Sequence, residues 1–214
     1  MKQSKAISGE FDAAAEYPSV DTLDGYLEAL ASAAPTPGGG SAATIVAALG
    51  SALVAMVARI TAGNPAYAEH AAEAAALAGE ADALRAQLLD ARTRDERAYA
   101  RVVEAMALPK STAVEKSLRT ERVQATLAGA AAEPLRAAEL ALDVLSLARR
   151  AAALGNRHLA SDVACASTFA LAALAASAAN VRVNHAYLKD LELVETQERT
   201  LRALEAAASG DGTL

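Results

Sequence analysis

The fold is decided by residues 35–41, which read PTPGGGS, and by the apolar run AATIVAALGSALVAMVARI that follows them at 42–60. Three consecutive glycines disfavour a helix, because each costs about 1 kcal/mol relative to alanine in a helix interior. The apolar run predicts a helix over 41–61 directly after this flexible loop. Three functions of the loop stay open: a membrane hinge, a packing device, or a cradle that brings backbone close to a ligand.

Composition favours helices throughout the chain. Hydrophobic residues make up 53% of the 214 residues, but aromatic residues only 3%, and much of the apolar content is alanine. Alanine is the best helix former, and its small side chain lets helices approach closely. The sequence therefore predicts an all-α bundle of long antiparallel helices. Because single helices this rich in alanine leave apolar faces that one chain does not cover, we expect a homodimer.

The charge balance, the single cysteine and the N-terminal residues limit the possible partners and the expected location of the protein. The chain has 20 basic and 26 acidic residues and no basic run, which argues against a nucleic-acid partner. The single cysteine, Cys165, excludes an internal disulfide, and its apolar surroundings predict an inert core residue. The first residues lack the apolar segment of a secretory signal, so a cytoplasmic location is expected.

Two segments are apolar enough to be weighed as membrane spans. The run at 42–60 is interrupted by Thr44, Gly50, Ser51 and Arg59, and the run at 163–179 contains three hydroxyl side chains. A span needs about 20 predominantly apolar residues. We therefore interpret both runs as buried helices of a bundle and expect no membrane partner.

Capping residues and prolines predict where the helices begin and end. Asp21 is the predicted N-cap of a first helix to Ala33, and the row Ala43, Ala47, Ser51 and Ala55 predicts a groove for a neighbouring helix. The chain is predicted to stop and restart at Asn64-Pro65 and to continue as a long helix to Leu108 that breaks or bends near Gly79 or Thr93. The later predicted boundaries are a capping box at Thr112 and Glu115, a bend or restart at Pro134, a pause at Gly155-Asn156, and helices ending at Leu188 and Ala208. The domain boundaries that follow are a loose arm at 1–18, one helical domain at 19–208 and a flexible tail at 209–214.

No metal motif is present. His70, His158 and His185 are scattered and lack cysteine or carboxylate partners at ligand spacing. The PGGGS segment lacks the lysine of a phosphate-binding P-loop. At the start of a helix, however, its backbone N–H groups favour an anion such as a carboxylate, with Ser41 as N-cap or ligand donor. The alternative is a tight turn between packed helices.

Asp95 is the candidate for acid–base chemistry. On a helix it shares a face with Tyr99, Val102 and Met106, so its carboxyl group projects from an otherwise apolar face. Partial burial there would raise its pKa and allow proton transfer near neutral pH. The alternative is a solvated acid within the charged run at 92–97.

Asp162 and Asn180 form the third polar feature. They are 18 residues apart, which places them on one helix face but about 27 Å apart. They cannot touch the same reacting atom, so they serve different parts of a ligand, different sites, or a structural contact between helices.

Together these segments resemble the cyclodeaminase/cyclohydrolase family of tetrahydrofolate metabolism. The resemblance covers about residues 20–205, and its motifs occur in the family's order. They are A-P-T-P-G-G-G-S at 34–41, D-x-x-A-Y and A-M-A-L-P-K within 95–110, E-P-L-R-A-A-E at 133–139, G-N at 155–156, S-D at 161–162 and N-V-R-V-N at 180–184.

The resemblance implies a helical homodimer that acts at N5 and N10 of tetrahydrofolate, with Asp95 as the catalytic aspartate and the PGGGS loop as a folate-contacting cradle. The substrate-binding residues that it implies are Pro37, Gly38, Gly39, Gly40, Ser41, Tyr99, Lys110, Asn156, Asp162 and Asn184. It implies a tetrahydrofolate derivative as substrate and no bound metal or nucleotide cofactor. Because no formimidoyltransferase domain precedes these motifs in the 214 residues, cyclodeaminase and cyclohydrolase activity have nearly equal weight. The alternative is a non-enzymatic helical scaffold that keeps the fold.

Overall fold

A computed structural model describes residues 22–210. The chain divides into two compact units, residues 1–37 and residues 38–214. The predicted arm at 1–18 lies outside the described residues, as does most of the predicted tail at 209–214. The domain boundaries at 19 and 208 therefore stay predictions.

The described part of the chain is helical and contains no strand, which confirms the all-α fold class. The α-helices are α1 (Leu23–Ala31), α2 (Gly39–Ala62), α3 (Ala71–Ala107), α4 (Ala113–Ala153), α5 (Ala160–His185) and α6 (Leu191–Ser209). Short 3-10 helices at Pro65–His70 and Arg157–Leu159 lie before α3 and α5.

The first unit contributes α1. Its N-cap is Thr22, whose Oγ1 accepts a hydrogen bond from the backbone N–H of Gly25 at 3.1 Å. The predicted cap, Asp21, is therefore wrong by one residue, and it lies outside the described residues. The helix ends two residues before the predicted Ala33, where the Ser32 hydroxyl donates to the Ala29 carbonyl. The unit closes with a cis peptide bond between Thr36 and Pro37.

The second unit packs α3, α4 and α5 around α2. The small residues Ala43, Ala47, Ser51 and Ala55 are all buried, which confirms the predicted groove. The Ser51 hydroxyl donates to the Ala81 carbonyl of α3 at 2.7 Å. On another side of α2, a Cβ atom on Gly50 would lie 3.0 Å from the Ala166 carbonyl of α5 and 3.2 Å from Val144 of α4. Small residues thus bring three helices against α2.

Several predicted boundaries are confirmed and others are wrong. The capping box is present: the N–H of Glu115 donates to Thr112 Oγ1 at 3.2 Å, and the Thr112 N–H donates to the Glu115 carboxylate at 2.8 Å. The stop at Asn64 is present too, since its side chain accepts from the Ala66 N–H. However, α3 does not break at Gly79 or Thr93, and α4 does not restart at Pro134, so these alternatives are wrong. The other predicted alternative, a bend at these positions, stays a prediction.

The two apolar segments differ in how deeply they are buried. Both helices are long and apolar enough to span a membrane by length and composition, but 61% of the most apolar stretch of α2 is buried, against 33% for α5. The expectation of a buried helix thus fits α2 better than α5. Cys165 shows the difference, because it is exposed on α5 and the prediction of a core residue is wrong. Its neighbour Ala166 occupies the buried face instead.

Candidate functional site

The N-terminus of α2 is built almost entirely from glycine. Gly38 is the N-cap, with an extended backbone, and its carbonyl accepts from the Ala42 N–H at 2.9 Å. Gly39 and Gly40 form the first helical turn with Ser41, so the predicted N-cap role of Ser41 is wrong. Because glycine has no capping side chain, the first N–H groups of α2 need partners from elsewhere.

Asp95 of α3 supplies one of those partners. The backbone N–H of Ser41 donates to the Asp95 carboxylate. A Cβ atom on Gly40 would lie only 2.6 Å from each carboxylate oxygen of Asp95, so a side chain at that position would displace it. The cradle predicted from the three glycines therefore receives a carboxylate of the chain itself. Its contact with a ligand stays a prediction.

The next residue of α3 binds the same turn. The Ser41 hydroxyl donates to Glu96 Oε1 at 2.8 Å, and Ser41 is fully buried. Two consecutive carboxylates of α3 are thus held at the start of α2. The partial positive charge of a helix N-terminus favours this placement.

Asp95 is nevertheless disposed to take up a proton. Burial raises the pKa of Asp95 to about 6, with further contributions from the negative charges of Glu133 and Glu96, while the Ser41 N–H opposes the shift. The sequence prediction of a raised pKa is confirmed. A carboxyl group with this pKa can both donate and accept a proton near neutral pH. The alternative of a fully solvated acid does not fit this environment.

Glu133 enters the site from α4. Its Oε2 accepts a hydrogen bond from Nε of Arg94 at 3.1 Å, and its side chain is only 20% exposed. Arg94 also pairs with Asp90, one turn earlier on α3. A cavity of about 400 Å³ opens beside this pair, and it is lined by Gln87, Arg94, Ala132, Glu133 and Arg136. Polar groups of α3 and α4 therefore meet next to Asp95.

Two asparagines of α5 reach the same end of the bundle. A Cβ atom on Gly39 would lie 3.4 Å from Nδ2 of Asn180, which places that amide beside the first turn of α2. Asn184 lies one turn further along, and its Nδ2 donates to the Ala130 carbonyl of α4 at 3.1 Å. Asn184 therefore has a structural partner, whatever else it binds.

Tyr99 and Lys110 differ in their distance from Asp95. Tyr99 lies one turn along α3 and is 40% exposed, so it is available beside the site. Lys110 is exposed beyond the end of α3. Since α3 rises about 18 Å between Asp95 and Ala107, the Lys110 side chain does not reach Asp95 of the same chain.

Asn156 and Asp162 lie at the opposite end of the bundle. The Asn156 amide donates to Thr61 Oγ1 at 3.0 Å, and its Oδ1 accepts from the His158 N–H at 3.3 Å. Thr61 is about 33 Å along α2 from Gly39. Asp162 lies in the first turn of α5, about 27 Å from Asn180, as the spacing predicts. One chain does not bring these two residues to Asp95.

Pro37, the remaining predicted binding residue, is buried and ends the first unit. Asn156 lines a second cavity of about 600 Å³ together with residues of α4, α5 and the segment between them, namely Arg149, Ala151, Ala152, Gly155, Arg157, Ala160, Val163 and Ala164. The predicted binding residues therefore separate into different parts of the chain.

Sequence reasoning missed Glu96 and Glu133 as site residues. Glu96 enters the sequence analysis only as a member of the charged run at 92–97, because nothing in the sequence indicates its hydrogen bond to Ser41, 55 residues away. Glu133 belongs to the E-P-L motif, which is the signal that could have found it. Within residues 22–210, no group of histidine, cysteine or acidic side chains is arranged to hold a metal ion.

Comparison with known proteins agrees with the motifs. A methenyltetrahydrofolate cyclohydrolase from Methylorubrum extorquens is 37% identical over 188 residues, which cover 88% of this chain and 90% of that protein. The formimidoyltransferase-cyclodeaminase of Mus musculus is 33% identical over 190 residues, which cover 88% of this chain but only 35% of that protein. This chain thus spans about a third of the mouse protein.

Structural comparison gives the same result. The crystal structure of a formiminotetrahydrofolate cyclodeaminase from Thermotoga maritima superposes with a TM-score of 0.79 and 27% sequence identity, covering 88% of this chain and 90% of that one. Residues 22–203 match the family described as formiminotransferase-cyclodeaminase. This match includes the glycine turn of α2, Asp95 and Glu133, and it shows that the chain belongs to the formiminotransferase-cyclodeaminase family.

Proposed function

We propose that this protein is a folate one-carbon enzyme that acts on the bridge between N5 and N10 of tetrahydrofolate. Its reaction is that of a methenyltetrahydrofolate cyclohydrolase or of a formimidoyltetrahydrofolate cyclodeaminase. The observation that carries the proposal is Asp95, a partly buried carboxyl group with a pKa of about 6 at the glycine turn of α2. Both reactions need a group that exchanges protons near neutral pH.

In the cyclohydrolase reaction, water adds to the cationic methenyl carbon of 5,10-methenyltetrahydrofolate. Asp95 as carboxylate accepts a proton from that water while the new C–O bond forms. It then donates the proton to N5 as the C–N5 bond breaks, and the remaining hydroxyl proton is released to solvent as the formyl C=O bond forms, which gives 10-formyltetrahydrofolate. The negative charges of Asp95, Glu96 and Glu133 favour the cationic substrate at this end of the bundle.

In the cyclodeaminase reaction, N10 attacks the carbon of the 5-formimidoyl group in its protonated, amidinium form. Asp95 accepts the proton that N10 loses and donates it to the nitrogen that leaves as ammonia. The product is 5,10-methenyltetrahydrofolate. The cyclohydrolase is favoured by the Methylorubrum relative, which this chain covers over 90% of its length. The cyclodeaminase is favoured by the Thermotoga structure, which matches over a similar extent.

One absorbance experiment separates the alternatives. The methenyl chromophore disappears when 5,10-methenyltetrahydrofolate is hydrolysed, and it appears when 5-formimidoyltetrahydrofolate is cyclised. Purified protein is given each substrate, and ammonia is measured in parallel. A fall in absorbance with 5,10-methenyltetrahydrofolate identifies the cyclohydrolase. A rise in absorbance with 5-formimidoyltetrahydrofolate, together with release of ammonia, identifies the cyclodeaminase. No rate above the uncatalysed one with either substrate would favour the non-enzymatic helical scaffold.

We also propose that no metal or nucleotide cofactor takes part, and that the folate is the only small molecule required. The proton transfers above use side-chain and substrate groups alone. Activity that survives dialysis against a chelator, and needs no added nucleotide, is the expected result. A cytoplasmic location stays our expectation, since it rests on the sequence alone.

The homodimer is a further part of the proposal. The outer surface of α2 exposes Leu49, Met56 and Ile60, and that of α5 exposes Leu171, with exposed fractions between 36% and 52%. A row of exposed large apolar side chains along two packed helices is typical of a surface that another chain covers. We propose that a second copy packs on this face and covers it. A monomer in light scattering at micromolar concentration would contradict the dimer.

A two-fold dimer on this face would also explain why the predicted binding residues separate. A two-fold axis that crosses the middle of α2 and α5 brings the start of one copy's α5 towards the start of the other copy's α2. Asp162 of the partner subunit would then lie near Asp95. Coexpression of Asp95→Asn and Asp162→Asn chains tests this, because a mixed dimer would regain one intact site. Mixed dimers no more active than the two variants alone would contradict a shared site.

A further inference from the structure

The feature that carries a further inference is Pro134, inside α4. A helical residue donates its N–H to the carbonyl four residues earlier, but proline has no N–H and its ring crowds that carbonyl. The carbonyl in question is that of Ala130. It accepts a hydrogen bond from the side-chain amide of Asn184 at 3.1 Å. Asn184 of α5 thus supplies the hydrogen bond that Pro134 cannot give to α4.

The residue before this proline is Glu133. Its carboxylate is held by Nε of Arg94 at 3.1 Å, and Arg94 immediately precedes Asp95 on α3. Pro134 itself is fully buried. Glu133 is therefore fixed twice: through the α4 backbone beside Asn184, and through its side chain beside Arg94.

We propose that Glu133 is a positioning residue for Asp95, and that Pro134 and Asn184 form the brace that holds it in place. The proposal rests on the proposed function for the role of Asp95 in proton transfer. It extends that function, because Glu133 acts on Asp95 and not on the substrate. It also assigns Asn184, which the family resemblance gives to substrate binding, to the support of α4.

The groups around Asp95 make this action specific. The first turn of α2 carries no ionisable side chain and faces Asp95 with the Ser41 N–H, and α5 brings the neutral amide of Asn180 to the same turn. On α3 itself, Glu96 is the neighbouring acid, and Arg94 is shared between Asp90 and Glu133. From α4, Glu133 contributes the larger of the two charge effects that raise the pKa of Asp95. Without Glu133, less of Asp95 would be protonated near pH 6.

The action of Glu133 on Asp95 can be measured without turnover. The free energy of unfolding is measured against pH for the wild type, Asp95→Asn, Glu133→Gln and the double variant. The difference in free energy of unfolding caused by Asp95→Asn should change between about pH 4 and pH 6 in the presence of Glu133, with a midpoint near pH 5, because these are the unfolded and folded pKa values of Asp95. In the absence of Glu133 the midpoint should lie at a lower pH. Glu139→Gln is the matched control, because Glu139 pairs with Arg136 on the same helix and should leave the midpoint in place. Equal midpoints with and without Glu133 would overturn the proposal.

The brace is tested by a second double-mutant cycle, which combines Asn184→Ala with Pro134→Ala. Asn184→Ala leaves the Ala130 carbonyl without its partner and should lower the Tm by about 2–4 °C, as the loss of one such hydrogen bond does in a chain of this size. In the Pro134→Ala variant, the new backbone N–H can donate to the Ala130 carbonyl. Asn184→Ala should therefore lower the Tm clearly less in this variant than in the wild type. Equal costs in both backgrounds would overturn the brace.

A last measurement tests whether the brace formed by Pro134 and Asn184 affects the action of Glu133 on Asp95. If Asn184 holds Glu133 in place, Asn184→Ala should move the midpoint of Asp95 in the same direction as Glu133→Gln does. A raised KM with an unchanged midpoint would instead assign Asn184 to the substrate and overturn its positioning role. The stability measurements do not need catalysis. A failure of the positioning proposal can therefore be distinguished from a failure of the proposed function, in which the protein would turn over neither folate substrate.

Discussion

The two ends of α2 use similar polar residues for different purposes. At its end, Thr61 accepts a hydrogen bond from the Asn156 amide, and both side chains are buried and neutral. At its start, Ser41 is equally buried, but its partners are the carboxylates of Asp95 and Glu96. One end pairs neutral groups that complete each other's hydrogen bonds. The other gathers negative charges that do not neutralise one another.

The difference shows where to look for chemistry in an alanine-rich bundle. A buried neutral pair contributes stability and has no proton to exchange near neutral pH. A buried carboxyl group beside two further carboxylates costs stability as an anion, and this cost is what shifts its pKa towards neutrality. The glycine turn permits the arrangement, since Gly40 leaves room for Asp95 and α2 offers an N–H group.

The largest effect is expected for Asp95→Asn. Asparagine keeps the size of the side chain and can still accept from the Ser41 N–H, but it cannot exchange a proton at neutral pH. General acid–base catalysis typically contributes about 10²–10⁴-fold, and turnover should fall by that factor. The measurement is the saturated rate with each folate substrate.

Asp82→Asn is the matched control for this loss. Asp82 lies on the same helix and forms ion pairs with Arg59 and Arg85 at the surface. Its substitution should leave turnover nearly unchanged. Near-normal turnover in Asp95→Asn would show that Asp95 is not catalytic. The start of α2 would then no longer differ from its end in function.

The second effect concerns stability against pH. The pKa of Asp95 is raised from 3.8 to about 6 in the folded state, so the folded chain binds the proton more tightly than the unfolded chain. This contribution to stability is complete below about pH 4 and is lost as the pH rises through 6. It amounts to about 3 kcal/mol, at 1.36 kcal/mol per pKa unit.

Asp95→Asn should therefore gain stability relative to the wild type as the pH rises from 4 to 7. Urea unfolding of both proteins at several pH values measures the gain, and the other carboxylates cancel in the difference. If the free energies of unfolding of the two proteins changed in parallel with pH, the folded state would not disfavour the ionised form of Asp95. Asn156→Ala should give no such pH-dependent difference, because its contacts at the other end of α2 do not titrate.

The third effect separates adjacent glycines. Gly40→Ala would place a Cβ atom 2.6 Å from the Asp95 oxygens, so the carboxylate has to move. A displacement of about 1 Å can cost up to about 10²-fold in rate, and we expect a loss of about 10–100-fold. Gly39→Ala is the control, since its Cβ would meet the Asn180 amide at an ordinary 3.4 Å. Equal losses in both variants would contradict the placement of Asp95 on Gly40.

The sequence predicted the helices better than the site. Apolar periodicity, the capping box at Thr112 and the small-residue row of α2 act locally or along one face, so they can be recognised without coordinates. The continuity of α4 through Pro134 could not be recognised in this way, because the partner of the Ala130 carbonyl is the Asn184 amide, which is distant in sequence. The same holds for Glu133 and Glu96, whose roles arise from contacts between helices. Asp95 was found because its apolar helix face is itself a local signal.

The smallest effect concerns the neutral end of the comparison. Asn156→Ala removes the donor to Thr61 Oγ1, which is fully buried and has no access to water. The loss of a buried hydrogen bond with one partner left behind costs about 1–3 kcal/mol, so the free energy of unfolding should fall by that amount. The pH dependence of turnover should stay that of the wild type. Thr61→Val removes the acceptor instead, and if the pair is a structural contact, the double variant should cost little more than the worse single variant. Additive losses would show that Asn156 and Thr61 act on different partners, and a changed pH dependence would extend the reactive region to this end of α2.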